Sequence, residues 1–359
     1  MVKNIMEALV HASEKATNIA RLCRQNEHLF PLLVEEKPAE ESNPRFVKDF
    51  KTLADVLIQQ TIRYDVGNLY PLVHIQGEET ATFTNGLGES IDLEITDIQE
   101  NTIDCLVKIL DGDRVAAELL AAEVYRTVIC EHGDVDALPD LPDNLDLSGV
   151  GIWIDPIDAT QEYIKAETIR KYPKICASGL ECVTVLIGLY DKGNGKPLAG
   201  IINQPFNEKT DTGYKSKIVW GVCMGDDLKV TNLPKEHLKN TKLAVVSSSE
   251  DEKYIKALRD LGYTVVYSAG AGYKIMKVIC GDADLFLLSK NTTFKWDTCG
   301  PHAILNAIDG GLFKIEDIIE SNNIIEIDYS DERENANEGG LLALRRDEKH
   351  ILQDLYSKK

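Results

Sequence analysis

The run Gly151-Ile152-Trp153-Ile154-Asp155-Pro156-Ile157-Asp158-Ala159-Thr160 begins apolar and ends in two carboxylates. Gly151–Asp155 reads as a buried strand, and Pro156, which has no amide proton to give a ladder, predicts its end. Asp158 then falls where a helix can begin. Carboxylates at the C-terminal end of a strand are well placed to face a cleft, and their hard oxygens suit Mg²⁺. Taken alone, Asp158 reads first as a helix cap. Two acids straddling a proline beside an apolar strand make a metal site an equal reading.

C-terminal to this run, Glu181–Asp191 and Pro197–Asn203 are apolar segments joined by the turn residues KGNGK, a hairpin pattern, and Val219–Met224 predicts a further strand. Past residue 235 the pattern becomes strand–helix alternation: strands at Lys242–Ser247, Thr264–Tyr267 and Asp284–Ser289, helices at Glu250–Leu261, Gly272–Cys280 and Trp296–Ile308. Alternation of this kind implies parallel sheet with helices on its faces. The expected organisation is an α+β half over residues 1–235 and an α/β half over 236–359, with the junction in DDLKVTNLPKEHLKN.

N-terminal to the run, Ile5, Leu9, Ala12, Ala16 and Ile19 recur at helical spacing, and Glu7 and Glu14 interrupt any apolar core of a signal peptide. A second helix is expected over Phe46–Arg63, a loop over Asp65–Tyr70, and a strand over Leu72–Gln76 running into Gly77. Residues 84–101 read as exposed, Val115–Cys130 as a helix, and Glu131–Gly149 as a surface loop.

The 359 residues carry 39 Lys+Arg against 59 Asp+Glu, a formal charge of −20. Nucleic-acid and anionic-membrane binding both need a cationic surface, so this balance argues against either. No apolar run approaches the roughly 18–20 residues of a membrane span. Eight cysteines without a CxxC pair predict reduced thiols and a cytoplasmic location.

Three more acidic positions stand out. Gly77-Glu78-Glu79-Thr80 ends a strand, and adjacent residues there face opposite ways, so one of the pair is expected to enter a site. Asp297, in Thr293-Phe294-Lys295-Trp296-Asp297, sits in the first turn of an apolar helix, where exposed amides favour negative charge. Asp55, at the start of a helix, reads by default as solvated. Other patterns carry less. Asp111-Gly112-Asp113 lacks the later calcium ligands, and the seven histidines form no HExxH. Gly270-Ala271-Gly272-Tyr273-Lys274 falls between strand and helix, so its amides could cradle an anion.

Together these elements resemble the lithium-sensitive, magnesium-dependent phosphomonoesterase superfamily of inositol monophosphatase. The likeness rests on Gly77-Glu78-Glu79-Thr80, on Asp155-Pro156-Ile157-Asp158-Ala159-Thr160, and on Trp296-Asp297 before Ala303-Ile304, and it covers Asp55 to about Gly311. Ala159 departs from the Gly or Ser more usual there. Within the superfamily, DFKTLADVLIQ, WIDPIDATQEYIK, SGLECVTVLIGLYD, GIINQPF, AGAGYK and TTFKWDTCGPHAIL resemble the branch that removes the 1-phosphate from inositol polyphosphates.

The resemblance implies a layered αβαβα sandwich, with antiparallel sheet in the N-terminal half and mainly parallel sheet with helices in the C-terminal half. It implies that Glu78, Asp155 and the Ile157 carbonyl hold one Mg²⁺, and that Asp155, Asp158 and Asp297 hold a second. Glu79 with Asp55 would hold a weaker third, and Li⁺ would inhibit by displacing the second ion. Asp55 and Thr160 would orient and deprotonate the attacking water. Amides after Asp158, at Ala159 and Thr160, would hold the phosphate. Lys274 and Lys295 are the cationic candidates for a second phosphate, position favouring Lys274, with Ser248, Ser249, Gly270 and Ala271 as further contacts. The implied substrates are inositol 1,4-bisphosphate and inositol 1,3,4-trisphosphate, small molecules turned over by a cytoplasmic monomer. A 3′(2′),5′-bisphosphate nucleotidase would share the metal motifs but need an aromatic or apolar surface for adenine. A non-catalytic scaffold or cation-binding protein is the reading from a different class.

Overall fold

A computed structural model describes residues 4–25, 30–37, 50–128, 130, 135, 137–142, 145–234, 241–321, 324–330, 335–345 and 351. Helix α1 (Ile5–Gln25) buries Ile5, Leu9, Ala12, Ala16 and Ile19, the stripe its spacing predicts. Helix α2 (Leu53–Leu69) starts later than expected and runs through the segment read as a loop. The Thr52-x-x-Asp55 box caps its first turn, and Val66 extends its buried face. Residues 46–49 of the predicted helix lie outside the described residues, and Phe50–Thr52 is extended.

Both helices cover one face of a six-stranded sheet. Its strands are β1 (His74–Gly77), β2 (Val150–Asp158), β3 (Thr184–Asp191), β4 (Pro197–Thr210), β5 (Gly213–Met224) and β6 (Leu228–Thr231), in the spatial order β6-β5-β4-β3-β2-β1. All pairings are antiparallel except β1 with β2. The KGNGK turn closes the β3–β4 hairpin as its composition indicates. Two helices connect β1 to β2: α3 (Gln99–Ile109) and α4 (Arg114–Val124). The first begins within the stretch read as exposed, whose residues 99–101 are exposed, and buries Ile103, Leu106 and Ile109 beyond it. The second stops short of Cys130. Of the expected loop at 131–149, residues 131–134, 136, 143 and 144 lie outside the described residues, as do 235–240 of the expected junction.

After the short α5 (Thr160–Lys165) and the sheet's last hairpins, the chain builds a second sheet from β7 (Leu243–Val246), β8 (Thr264–Tyr267), β9 (Leu285–Leu288), β10 (Gly311–Lys314) and β11 (Leu341–Leu344). Its order is β8-β7-β9-β11-β10. The first three are parallel, as the alternation predicts, and β11 pairs antiparallel with both β9 and β10. Helix α6 (Glu252–Asp260) and the short helix Ile315–Ser321 pack on its outer face, where Leu258, Ile315 and Ile318 join Leu285, Leu287 and Leu342. Between the sheets lie α7 (Ala271–Ile279) and α8 (Lys295–Ala307).

The result is five layers, αβαβα. One cluster of buried side chains joins Trp153, Leu186 and Tyr190 of the first sheet to Tyr273 and Met276 of α7, Cys299 and Ile304 of α8, and Phe286 of the second. Backbone contact makes this layer thin: a Cβ at Gly200 would lie 1.9 Å from the Gly300 carbonyl, so α8 rests directly on β4. All eight cysteines are free thiols. No helix among the described residues is long and apolar enough to cross a membrane.

Candidate active site

Strand β2 does not stop at Pro156. It continues to Asp158, and its register against β3 slips between Asp155, paired with Leu186, and Asp158, paired with Thr184. Three steps on β2 thus oppose two on β3, which makes a bulge at Pro156-Ile157, where the missing amide costs the ladder nothing. Side chains three apart on a regular strand face opposite ways. The extra residue brings Asp155 and Asp158 to one side.

Asp158 is 6% exposed and accepts from the Thr184 hydroxyl at 3.1 Å, the Ala271 amide at 3.2 Å and the Gly272 amide at 2.9 Å. The Gly-rich turn therefore does cradle an anion, but the anion is the chain's own Asp158. This corrects the expectation for Ala271, whose amide is taken by Asp158 rather than left for a ligand. Gly270 is required by its φ of 73° and by the Cys182 carbonyl, 2.6 Å from where a Cβ would stand. Asp297 both caps and faces the cleft. The Phe294 amide donates to its Oδ2 at 2.6 Å, and one carboxylate oxygen from each of Asp155, Asp158 and Asp297 lies within 4.8 Å of the other two.

Burial raises all three carboxyl groups above their ordinary range. For Asp155 the nearby Glu78, Asp297 and Asp158 charges raise it further; for Asp297 those of Asp158 and Glu78 do the same. For Asp158, Lys274 and the hydrogen bonds partly oppose burial. Among the described residues no salt bridge reaches any of the three. An all-carboxylate, buried, mutually repelling donor set fits a hard divalent cation.

On the other side of the centre stand Glu78, Glu79 and Asp55. Gln59 holds the backbone of Glu79, and Lys37 Nζ lies 2.7 Å from an oxygen of both Glu78 and Glu79. The Lys37 side chain is 4% exposed, and its ammonium is driven up by the two glutamates against the opposing effect of burial. Asp55, expected to be solvated, is fully buried. Its Oδ2 accepts from the Thr52 amide at 2.7 Å and from the Thr52 hydroxyl, which leaves Oδ1 facing the Thr160 hydroxyl at 3.5 Å. Burial lifts this carboxyl to about 7. The Thr160 hydroxyl also lies 3.0 Å from the Ile157 carbonyl. Ala159 precedes α5 in the left-handed region, at φ 69°.

These groups border a cleft of about 580 Å³ that reaches from Glu78 to Ser248, Ser249, Gly270 and Lys274. Lys274 is buried and donates to the Ser247 hydroxyl at 3.0 Å and the Ser268 carbonyl at 3.2 Å. Lys295 does not line the cleft; Lys290 does. So do Phe294 and Trp296, whose rings stack at 4.6 Å with planes 9° apart. Sequence reasoning passed over Lys37, Thr52, Thr184 and Lys290. Only Thr52 had a local signal, the capping box it forms with Asp55.

The two-sheet fold, the buried acidic cluster and the kinship that follows make this chain a phosphomonoesterase. The chain belongs to the inositol monophosphatase family, whose model matches residues 4–350. It is 40% identical to the inositol polyphosphate 1-phosphatases of Mus musculus and of Homo sapiens, over 96% of this chain and 94% of each of theirs. Among solved structures, CysQ from Bacteroides thetaiotaomicron, a bacterial member of the family, shares the fold at a TM-score of 0.52 and 17% identity, covering 96% of this chain and 98% of its own.

Proposed function

We propose that this enzyme hydrolyses the 1-phosphate of inositol polyphosphates, with inositol 1,4-bisphosphate and inositol 1,3,4-trisphosphate as substrates, using Mg²⁺ and inhibited by Li⁺. The observation that carries the reading is the convergence of Asp155, Asp158 and Asp297 to within 4.8 Å beside the cleft. The kinship with 1-phosphatases along nearly the whole chain supports the substrate.

Asp155, Asp158 and Asp297 would hold one Mg²⁺; Glu78, Asp155 and the Ile157 carbonyl a second; Glu79 with Asp55 a third. Bound Mg²⁺ supplies Lewis-acid stabilisation of the phosphoryl oxygens and makes water a stronger acid. The remaining work belongs to the chain. The Thr160 hydroxyl, set by Ile157 and Asp55, orients the attacking water and relays its proton to Asp55. Thr52 occupies Oδ2, so Oδ1 is the accepting atom. Ala159 and Thr160 amides hold the phosphate, while Ser248, Ser249 and Lys274 meet the rest of the substrate.

Thr160→Val tests the relay: kcat should fall about 100-fold with KM little changed, and an unaltered kcat would remove Thr160 from the chemistry. A second reading, 3′(2′),5′-bisphosphate nucleotidase, draws on the stacked Phe294–Trp296 pair, an aromatic surface in the cleft on which a base could lie. Turnover of inositol 1,4-bisphosphate against 3′-phosphoadenosine 5′-phosphate, with Mg²⁺ and with or without millimolar Li⁺, decides between them. Preference for the nucleotide overturns the first reading.

A further inference from the structure

Among the described residues two lysines line the cleft, and they differ in what holds them. Lys274 is 4% exposed, its ammonium donates to Ser247 and Ser268, and it acts electrostatically on Asp158. Lys290 is half-buried and has no hydrogen bond or ion pair among the described residues. Its backbone is pinned on both sides. The Ser289 amide donates to Glu250 Oε2 at 2.9 Å, and the Ser289 hydroxyl bonds the other oxygen of the same carboxylate. Asn291 Oδ1 accepts from the amides of Gly339 at 3.0 Å and Gly340 at 3.2 Å. A long cationic side chain thus leaves the cleft wall from a fixed point, and none of the described residues forms an ion pair with it.

The other titratable groups on that wall, among the described residues, are acids: Glu78, Asp155, Asp158, Glu162 and Asp297. Divalent ions at the carboxylate end would answer one phosphate. Each further phosphate brings about −1.5 to −2 charges of its own, and needs a cation elsewhere. A cleft of about 580 Å³ has room for a phosphorylated ring that spans both ends.

We propose that Lys290 is a specificity-determining residue whose ammonium takes a phosphate that is not hydrolysed, so that the site favours cyclic polyols with two or more phosphates over those with one. The proposal rests on the phosphatase reading above. An ammonium–phosphate hydrogen bond is charge-assisted, and partial exclusion of water strengthens it.

The test is the ratio of kcat/KM for inositol 1,4-bisphosphate to that for inositol 1-phosphate. In Lys290→Met, which keeps the aliphatic stem, this ratio should fall about tenfold, through KM for the bisphosphate. In Lys290→Arg it should be largely retained. A ratio unchanged within about twofold in Lys290→Met overturns the proposal, as does equal loss on both substrates. If the wild type turns over neither inositol phosphate, the substrate reading fails by itself. The same ratio is then taken with 3′-phosphoadenosine 5′-phosphate against adenosine 3′-monophosphate, where a selective fall retains the role of Lys290 in binding the second phosphate and restricts the error to the ring. A wild type inactive on all four overturns both.

Discussion

The two halves of the acidic centre handle charge in different ways. Around Glu78 and Glu79 the compensating cation is the chain's own, Lys37, 2.7 Å from an oxygen of each. Around Asp155, Asp158 and Asp297 the donors are the Ile157, Ala271, Gly272 and Phe294 amides and the Thr184 hydroxyl. Dipoles of this kind orient a carboxylate but do not cancel its charge. The first half can therefore fold around itself, whereas the second, where Lys274 offsets only part of the charge, keeps a negative excess that a divalent ion would satisfy. Metal affinity should follow the second half, and metal-free stability the first.

The largest expected effect comes from Asp297→Asn. Activity should fall about 1,000-fold, since the three-carboxylate site loses a charged donor. Metal-free stability at pH 8 should rise, because one of a set of buried, repelling charges is gone. Phosphate release and thermal melts in EDTA check both, and a lower melting temperature would break the contrast between the halves.

Lys37→Met probes the first half. Removing one partner of a buried ion pair leaves the glutamates uncompensated and should cost about 3 kcal/mol without metal. Saturating Mg²⁺ should recover most of that. Denaturant midpoints with EDTA and with Mg²⁺ measure the difference, and equal losses under both would make Lys37 a purely structural cation.

The pH dependence is smaller and has two signs. Burial lifts Asp55 from 3.8 to about 7, so between those values the folded chain keeps a proton that the unfolded chain has released. Its contribution to metal-free stability therefore falls as pH rises through that window. Burial pushes His302 from 6.5 down to about 3, so in that range the unfolded chain binds a proton that the folded chain does not. Its contribution falls as pH drops. Asp55→Asn should remove the first slope, worth on the order of 2 kcal/mol, and leave the second. Melts in EDTA from pH 5 to 8 should then fall less steeply with pH, the raised Asp155, Asp158 and Asp297 carboxyls keeping the remainder of the decline, and a slope unchanged from wild type would assign it wholly to those acids.

The smallest effect is at Ala159. A left-handed φ of 69° costs an alanine about 1 kcal/mol relative to glycine, so Ala159→Gly should stabilise the chain by up to that amount. Urea midpoints resolve it, and a decrease would mean that the methyl group packs more favourably than its backbone angle costs.

Much of the fold was legible in local pattern. The hairpin across KGNGK, the strand–helix alternation after residue 235 and the stripe of α1 depend on neighbours in sequence, and each stands where its periodicity puts it. Errors fell where tertiary pairing overrides a local rule. Pro156 ends a ladder hydrogen bond, yet pairing with β3 carries β2 on to Asp158 through a bulge. Asp55 reads as solvated because helix position alone cannot report what covers it.

The sequence by itself determined which side chains could do the chemistry, since carboxylates at a strand end, in a GEET run and in a helix's first turn are set by residue type and short spacing. Tertiary structure alone decided how their charges are met. Lys37 reaches Glu78 from 41 residues away, and the amides of α7 reach Asp158 across more than 110 residues. Lys290 reaches nothing at all among the described residues. Coulomb energy depends on distance through space and on burial, and neither is written in the order of the residues.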